Sequence, residues 1–148
     1  MISYLEVKDC KKMMEYLNNS DSNQYYTKKL FSEYRILRQY TFESRMIHIA
    51  DVESGKIKKL FSVITPVIES ESATVTIIAS YNDYNFIKES IQMIKDVIEN
   101  ENYKKIKIQL TTDISNIEDI MHSFIKCGFV SDFTESKKFG FIQLSLLI

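Results

Sequence analysis

The sequence has one proline, three glycines and two cysteines in 148 residues. So few chain breakers argue against long disordered linkers, and no internal repeat or low-complexity tract is present. Cys10 and Cys127 make no disulfide framework, so reduced thiols in a cytoplasmic protein are the expectation. His48 and His122 share no ligand spacing with those cysteines, which leaves no metal signature. No apolar run approaches the roughly 20 residues that span a bilayer. The opening MISYLEVKDCKK lacks the basic-then-apolar layout of a secretory leader. No polybasic cluster flanks an apolar helix, so no membrane partner is expected. Neither a nucleophile elbow nor a Walker-type glycine loop occurs. With a formal net charge of -1 there is no basic footprint for nucleic acid. The basic-aromatic passage Tyr103-Lys104-Lys105 is too short to supply one.

What is there suits one domain, residues 1–148, with a sizeable core. The informative stretch runs from Ala73 to Glu101. Thr74 to Ala79 reads as a strand, Ser80 to Asp83 as a polar loop, and the rest as a long helix. In that helix Ile87, Ile91, Ile94 and Ile98 share one stripe, with Met93 and Val97 beside it, and such a stripe packs on a sheet. Ile106, Ile108 and Leu110 then alternate with Lys105, Lys107 and Gln109 as a second strand, which completes a βαβ unit. The loop at the helix N-terminus is where exposed amides favour an anion.

The flanking segments follow the same periodicities. Ile2 to Val7 alternates as a strand, and Asp9 is placed to cap a helix bearing Cys10, Met13, Met14 and Leu17. After the polar Asn18 to Asn23, a second helix is expected with Tyr26, Leu30, Tyr34 and Leu37 on one stripe, carrying Arg35 and Arg38. Met46 to Val52 and Ile57 to Val67 read as strands about the turn Glu53 to Lys56, with Pro66 suiting an edge or bend. A further turn, Glu69 to Ser72, makes the second to fourth strands an antiparallel meander. Ser115-Asn116-Ile117-Glu118 matches a capping box, opening a helix with Ile117, Ile120, Met121 and Phe124. Gly128 suits the left-handed cap that ends it. Phe129 to Phe133 and Phe139 to Ile148 form a closing hairpin about Glu135 to Lys138. The expected order is β-α-α-β-β-β-α-β-α-β-β: an α/β (α+β) fold with four helices and a mostly antiparallel sheet. One parallel junction joins its fourth and fifth strands.

This order, and the ending Ile125-Lys126-Cys127-Gly128-Phe129 after a helix, resembles the GNAT N-acetyltransferase fold over the whole chain. The resemblance implies a V-shaped cleft between the splayed fourth and fifth strands. It also implies transfer of an acyl group from acetyl-CoA, or another acyl-CoA, to a small-molecule or peptide amine by direct attack. In that family the pantetheine arm lies along the fourth strand much as an extra strand would. Here the resemblance assigns this role to the backbone of Ile77, Ile78, Ala79 and Ser80, whose amides would also face the oxyanion. The phosphates would fall to Asn82, Tyr84, Asn85 and Lys88. The family's loop pattern, Arg/Gln-x-x-Gly-x-Gly/Ala, meets Tyr84, Ile87 and Glu89, which all depart from it. A β-branched side chain and a carboxylate there crowd and repel a phosphate. The family's proton-donating tyrosine, four residues before Gly-Phe, is Phe124, which has no proton to give.

For proton transfer the remaining candidates are Glu43, His48 and Asp51 near the second strand, and His122 and Ser123 on the last helix. The acceptor region implied by the first two helices brings Tyr25, Tyr26, Tyr34, Arg35 and Arg38, a cluster suited to an anionic or aromatic acceptor. Each has a plainer reading: Ile87 and Phe124 as core, Asp83 as a helix cap, His122 as an exposed helix residue, and the cluster as half core and half solvated face. Three function classes stand open. They are an acyltransferase, a non-catalytic relative kept as a binding or regulatory module, and a protein that self-associates, for example as a homodimer through its late strands.

Overall fold

The computed structural model of the chain describes residues 1–28, 44–66, 74–132 and 140–148. The opening strand β1 (Ile2–Tyr4) is shorter than its alternation suggests, because Val7–Asp9 turn as a 3-10 helix into α1 (Cys10–Asn18). Asp9 sits at the N-cap, but its carboxylate reaches back to accept the Glu6 N–H at 2.9 Å and caps no helical amide. Past the polar break Tyr26, expected on a helix stripe, lies instead in a strand, β2 (Gln24–Tyr26). Tyrosine suits a strand, and at this residue the available partner edge overrides the helical spacing. Leu30, Tyr34, Arg35, Leu37, Arg38 and Glu43 lie outside the described residues, as do the turns at Glu69–Ser72 and Glu135–Lys138.

The long antiparallel hairpin is β3 (Ser44–Glu53) and β4 (Lys56–Pro66). Its loop residues Ser54 and Gly55 have φ of 52° and 76°, the pair of positive values that matches the twist of a two-residue hairpin. Then come β5 (Thr74–Tyr81), α2 (Tyr84–Ile98), β6 (Lys105–Thr111), α3 (Ile117–Lys126), β7 (Val130–Asp132) and β8 (Phe141–Leu147). The sheet runs β1-β3-β4-β5-β6-β8-β7, with β2 attached to β5. Among the described residues only the β5–β6 junction is parallel, pairing Thr74–Ile77 with Lys105–Ile108. The mixed α/β architecture is as expected, with α1, α2 and α3 the α-helices among the described residues.

Alternation sends one set of strand side chains to each face. Phe61, Val63, Val75 and Ile77 meet Ile87, Ile91, Ile94 and Ile98 of α2 and Phe124 of α3. Met46, Ala50, Leu60 and Ile78 meet Cys10, Met13 and Leu17 of α1. Each fully buried isoleucine of α2 contributes about 1.5–3 kcal/mol by leaving water, so this stripe pins the helix across the sheet. The capping box does not form. The N-cap is Asn116, so Ser115 and Glu118 are one residue out of register, and the Asn116 amide donates instead to Ser22 O at 2.7 Å. At the other end of α3, Gly128 has φ of 99°. Its N–H reaches Ile125 O at 2.9 Å while the Phe129 N–H reaches Phe124 O at 3.2 Å. These bonds and the edge-to-face contact of Phe124 and Phe129, centroids 5.1 Å apart, are a Schellman motif.

Candidate functional site

The site lies where β5 and β6 part. β5 pairs with β4 at Ser62–Ala79 and then at Val63–Ile77, so Ile78 is an extra residue, a β-bulge. A bulge bends its strand and raises the local twist, which carries β5 away from β6 beyond Ile77 and Ile108. That separation exposes a backbone edge of β5, and β2 occupies it. Gln24, Tyr25 and Tyr26 pair antiparallel with Tyr81, Ser80 and Ala79. β4 already holds Ala79 and Ser80 on their other side, so β2 lies on the edge facing β6. The Thr27 N–H donates to Ile78 O at 2.9 Å and the Asn82 N–H donates to Asn23 O at 2.7 Å, extending the ladder at both ends.

Side chains hold β2 in place. Gln24 is 6% exposed. Its Nε2 donates to Leu60 O and Tyr25 O, each at 3.1 Å, and its Oε1 accepts the Leu60 N–H at 3.2 Å and the Tyr16 hydroxyl at 2.9 Å. Tyr25 reaches across the gap and donates its hydroxyl to Gln109 O of β6 at 2.8 Å. Burial pushes the Tyr25 phenol above its usual range, so it remains a donor. Tyr25 packs on the α2 side of the sheet and Tyr26 on the α1 side. A cleft of about 380 Å³ remains between β2 and the turn from β6 to α3, lined in part by Tyr25, Lys28, Asp113, Ile114, Asn116 and Ile120. Nothing in the local pattern marks Gln24, Tyr16 or Asn116 as clamps on β2. The only sequence signal is the β-favouring Tyr25-Tyr26 pair after the polar break.

The N-terminus of α2 carries its own anion. Asp83 Oδ1 accepts the Phe86 N–H at 3.0 Å, and Oδ2 pairs with Lys59 at 3.1 Å. The Phe86 amide, with Lys59 behind it, holds this carboxyl below its usual range. Ile87 is fully buried in the core. Asn85, Lys88 and Glu89 are exposed. Tyr84 lies beneath two ammonium groups, Lys126 at 4.7 Å and Lys88 at 6.0 Å from its ring centre. Asn82 accepts the Ser123 hydroxyl at 2.6 Å. Asn82, Tyr84, Lys88 and Ser123 are thus brought together where α2 meets α3, beside Cys127, whose thiol burial pushes up.

The remaining proton-transfer candidates are scattered. His48 is 1% exposed on β3, with Nδ1 2.7 Å from Ser62 Oγ, and burial drives its pKa down to about 4. Asp51 pairs with the N-terminal amine at 3.0 Å, at the β1–β3 edge. His122 is exposed on α3. Phe124 is fully buried against Phe129. Among the described residues no His/Cys/Asp/Glu group could hold a metal ion, and no helix is long and apolar enough to cross a membrane.

On the side facing β6 the β5 edge at Ala79, Ser80 and Tyr81 is filled by β2, and at the α2 N-terminus the Phe86 amide is capped by Asp83.

No family model and no curated protein matches the chain. Solved structures do. The protein smu.2055 from Streptococcus mutans UA159 matches with a TM-score of 0.70 at 15% identity, over 99% of this chain and 98% of that one. The GNAT domain of S. lividans PAT matches with a TM-score of 0.69 at 10% identity, over 99% and 89%. Spermidine N-acetyltransferase from Vibrio cholerae, solved in complex with CoA and spermine, matches with a TM-score of 0.65 at 13% identity, over 99% and 94%. At such identities the likeness is one of architecture, and with one parallel junction among the described strands and a bulged central strand this chain has the GNAT fold.

Proposed function

We propose that the chain is a GNAT-fold binding or regulatory module that, with β2 in place, does not turn over acyl-CoA. The observation that carries this is the register of β2 on β5, which leaves no free backbone edge at Ala79 to Tyr81. Asp83 at the α2 N-terminus and Phe124 at the position the family gives to tyrosine point the same way. Thermal unfolding with acetyl-CoA, longer acyl-CoAs and free CoA tests it. The expected result is no change in Tm. A rise corresponding to about 2.7 kcal/mol at a hundredfold excess over Kd would overturn it.

A second reading, an acyltransferase moving an acyl group to an amine, is favoured by a different observation. The bulge at Ile78 and the parting of β5 from β6 keep the framework of a fold whose solved neighbours include N-acetyltransferases. On this reading β2 must leave β5 before any acyl arm enters. A polyamine is then a natural first acceptor to try, since the Vibrio cholerae neighbour was solved with spermine. With Phe124 unable to donate a proton, water would protonate the leaving thiolate, at a cost of roughly 10²–10⁴ in rate. Release of free thiol in the presence of spermidine decides between the readings. Self-association is separate: Val130 and Leu147, 65% and 80% exposed on the late strands, are the surface to watch in sedimentation at several concentrations.

A further inference from the structure

The segment from Ser22 to Thr27 is held by polar contacts and by Tyr25 and Tyr26, which pack against the two cores. Backbone bonds tie it to Ile78 and Asn82. The Gln24 amide ties it to Leu60 and Tyr16, Tyr25 ties it to Gln109, and Asn116 ties it to Ser22. Ser22 and Asn23 are exposed, and Tyr25 and Tyr26 are only partly buried. Hydrogen bonds of this kind can be exchanged one for another at little net cost when a new partner offers the same groups. The groups on offer are those of any extended, amide-bearing chain: a C=O for the Asn82 N–H and an N–H for Ile78 O.

We infer that β2 is an intramolecular strap: it occupies an edge of β5 from Ile78 to Asn82 that is otherwise competent to pair with an extended amide-bearing ligand, and Gln24 is its latch. The class of ligand is a thin, linear diamide such as the pantetheine arm of CoA. This rests on the closed edge of the reading above and adds that the closure is reversible.

The geometry favours Gln24 as the latch over the ladder itself. A strand of three residues contributes few backbone bonds. Gln24, by contrast, satisfies both the N–H and the C=O of Leu60, a residue at the end of the β4–β5 pairing, and is itself oriented by the Tyr16 hydroxyl. Without that amide, β2 loses its bonds to Leu60 and to the Tyr16 hydroxyl.

The test compares the wild-type chain with Gln24→Ala and with Tyr25→Phe, which removes the bond across the gap to Gln109 and the hydroxyl contact with Thr27 within the segment. Amide hydrogen exchange is followed at Thr27 and Asn82, the donors of the β2–β5 end bonds, with Ile106 and Ile108 of β6 as reporters of an intact sheet. In both variants the first pair is expected to exchange at least tenfold faster while the second pair stays slow. Added CoA is expected to bind the variants at least tenfold more tightly than wild type, protecting Asn82 again while Thr27 stays open. Unchanged exchange at Thr27 and Asn82 overturns the strap. So does an open edge that binds no CoA, or CoA binding with Thr27 still protected. Should Gln24→Ala not fold, Tyr25→Phe alone decides. The preceding reading fails differently, by stabilisation of the wild-type chain with acetyl-CoA.

Discussion

Gln24 grips Leu60 by both of its backbone groups, accepting its N–H at 3.2 Å and donating to its carbonyl at 3.1 Å. One side-chain amide thus stands in for a neighbouring strand where the β4–β5 pairing ends at Phe61 and Ser80. Truncation leaves a buried N–H, a buried carbonyl and the Tyr16 hydroxyl without this partner. Gln24→Ala is therefore expected to lower stability by about 1–3 kcal/mol in urea unfolding. Gln24→Glu is expected to lose more at neutral pH, because a carboxylate cannot donate to Leu60 O. A Gln24→Ala chain as stable as wild type would remove this role.

His48 gives the fold a pH dependence in a defined window. Burial lowers its pKa from 6.5 to about 4. As pH falls through 6.5 the unfolded chain takes up the proton and the folded chain does not. Stability therefore drops from about pH 6.5 toward 4 and levels below that, by on the order of 3 kcal/mol in all. In His48→Gln that part of the slope is expected to vanish. Parallel stability curves for the two proteins between pH 4 and 6.5 would contradict the assignment.

Asp83 acts in the opposite region of chemistry, as an acid held in its charged form by the Phe86 amide. Its stabilisation is present above the unfolded carboxyl pKa and is lost as pH falls through the lower folded value. Asp83→Ala is expected to cost about 0.5–2 kcal/mol as a lost helix cap. It also uncovers amides that face an anion, so inorganic phosphate should stabilise Asp83→Ala more than wild type. Equal phosphate responses would show that the cap is not what keeps anions away.

The end of α3 is expected to be sensitive at two points. Phe124→Ala removes a fully buried ring from its contact with Phe129 and should cost about 3–5 kcal/mol. Gly128→Ala forces a side chain into φ of 99°, with its Cβ 3.4 Å from Leu146 Cδ1. A loss of about 1–2 kcal/mol is the expected result, read from denaturant midpoints. A neutral Gly128→Ala would mean that the cap relaxes to another turn.

The sequence by itself determined the elements whose signal is local. The isoleucine stripe of α2, the alternation of β6 and the glycine ending α3 each state their period or their φ requirement within a few residues, and each is where it was expected. Asp83 as a cap is local too, and the departures at Ile87 and Phe124 were legible as core positions. Asp9 and Ser115 show the limit of local reading. Asp9 is at the N-cap, yet its carboxylate turns back to the Glu6 N–H, and Ser115 lies one residue before the N-cap Asn116. Tertiary structure alone decided the fate of the cleft. Gln24-Tyr25-Tyr26 fits a helix or a strand equally well on its own. Only the bulge at Ile78, which bends β5 from β6 and bares an edge, makes pairing there the lower-energy choice. Burial of the Gln24 amide followed from contact with Leu60, 36 residues away in the chain, and burial of His48 from its packing in the sheet beside Ser62 of the neighbouring strand.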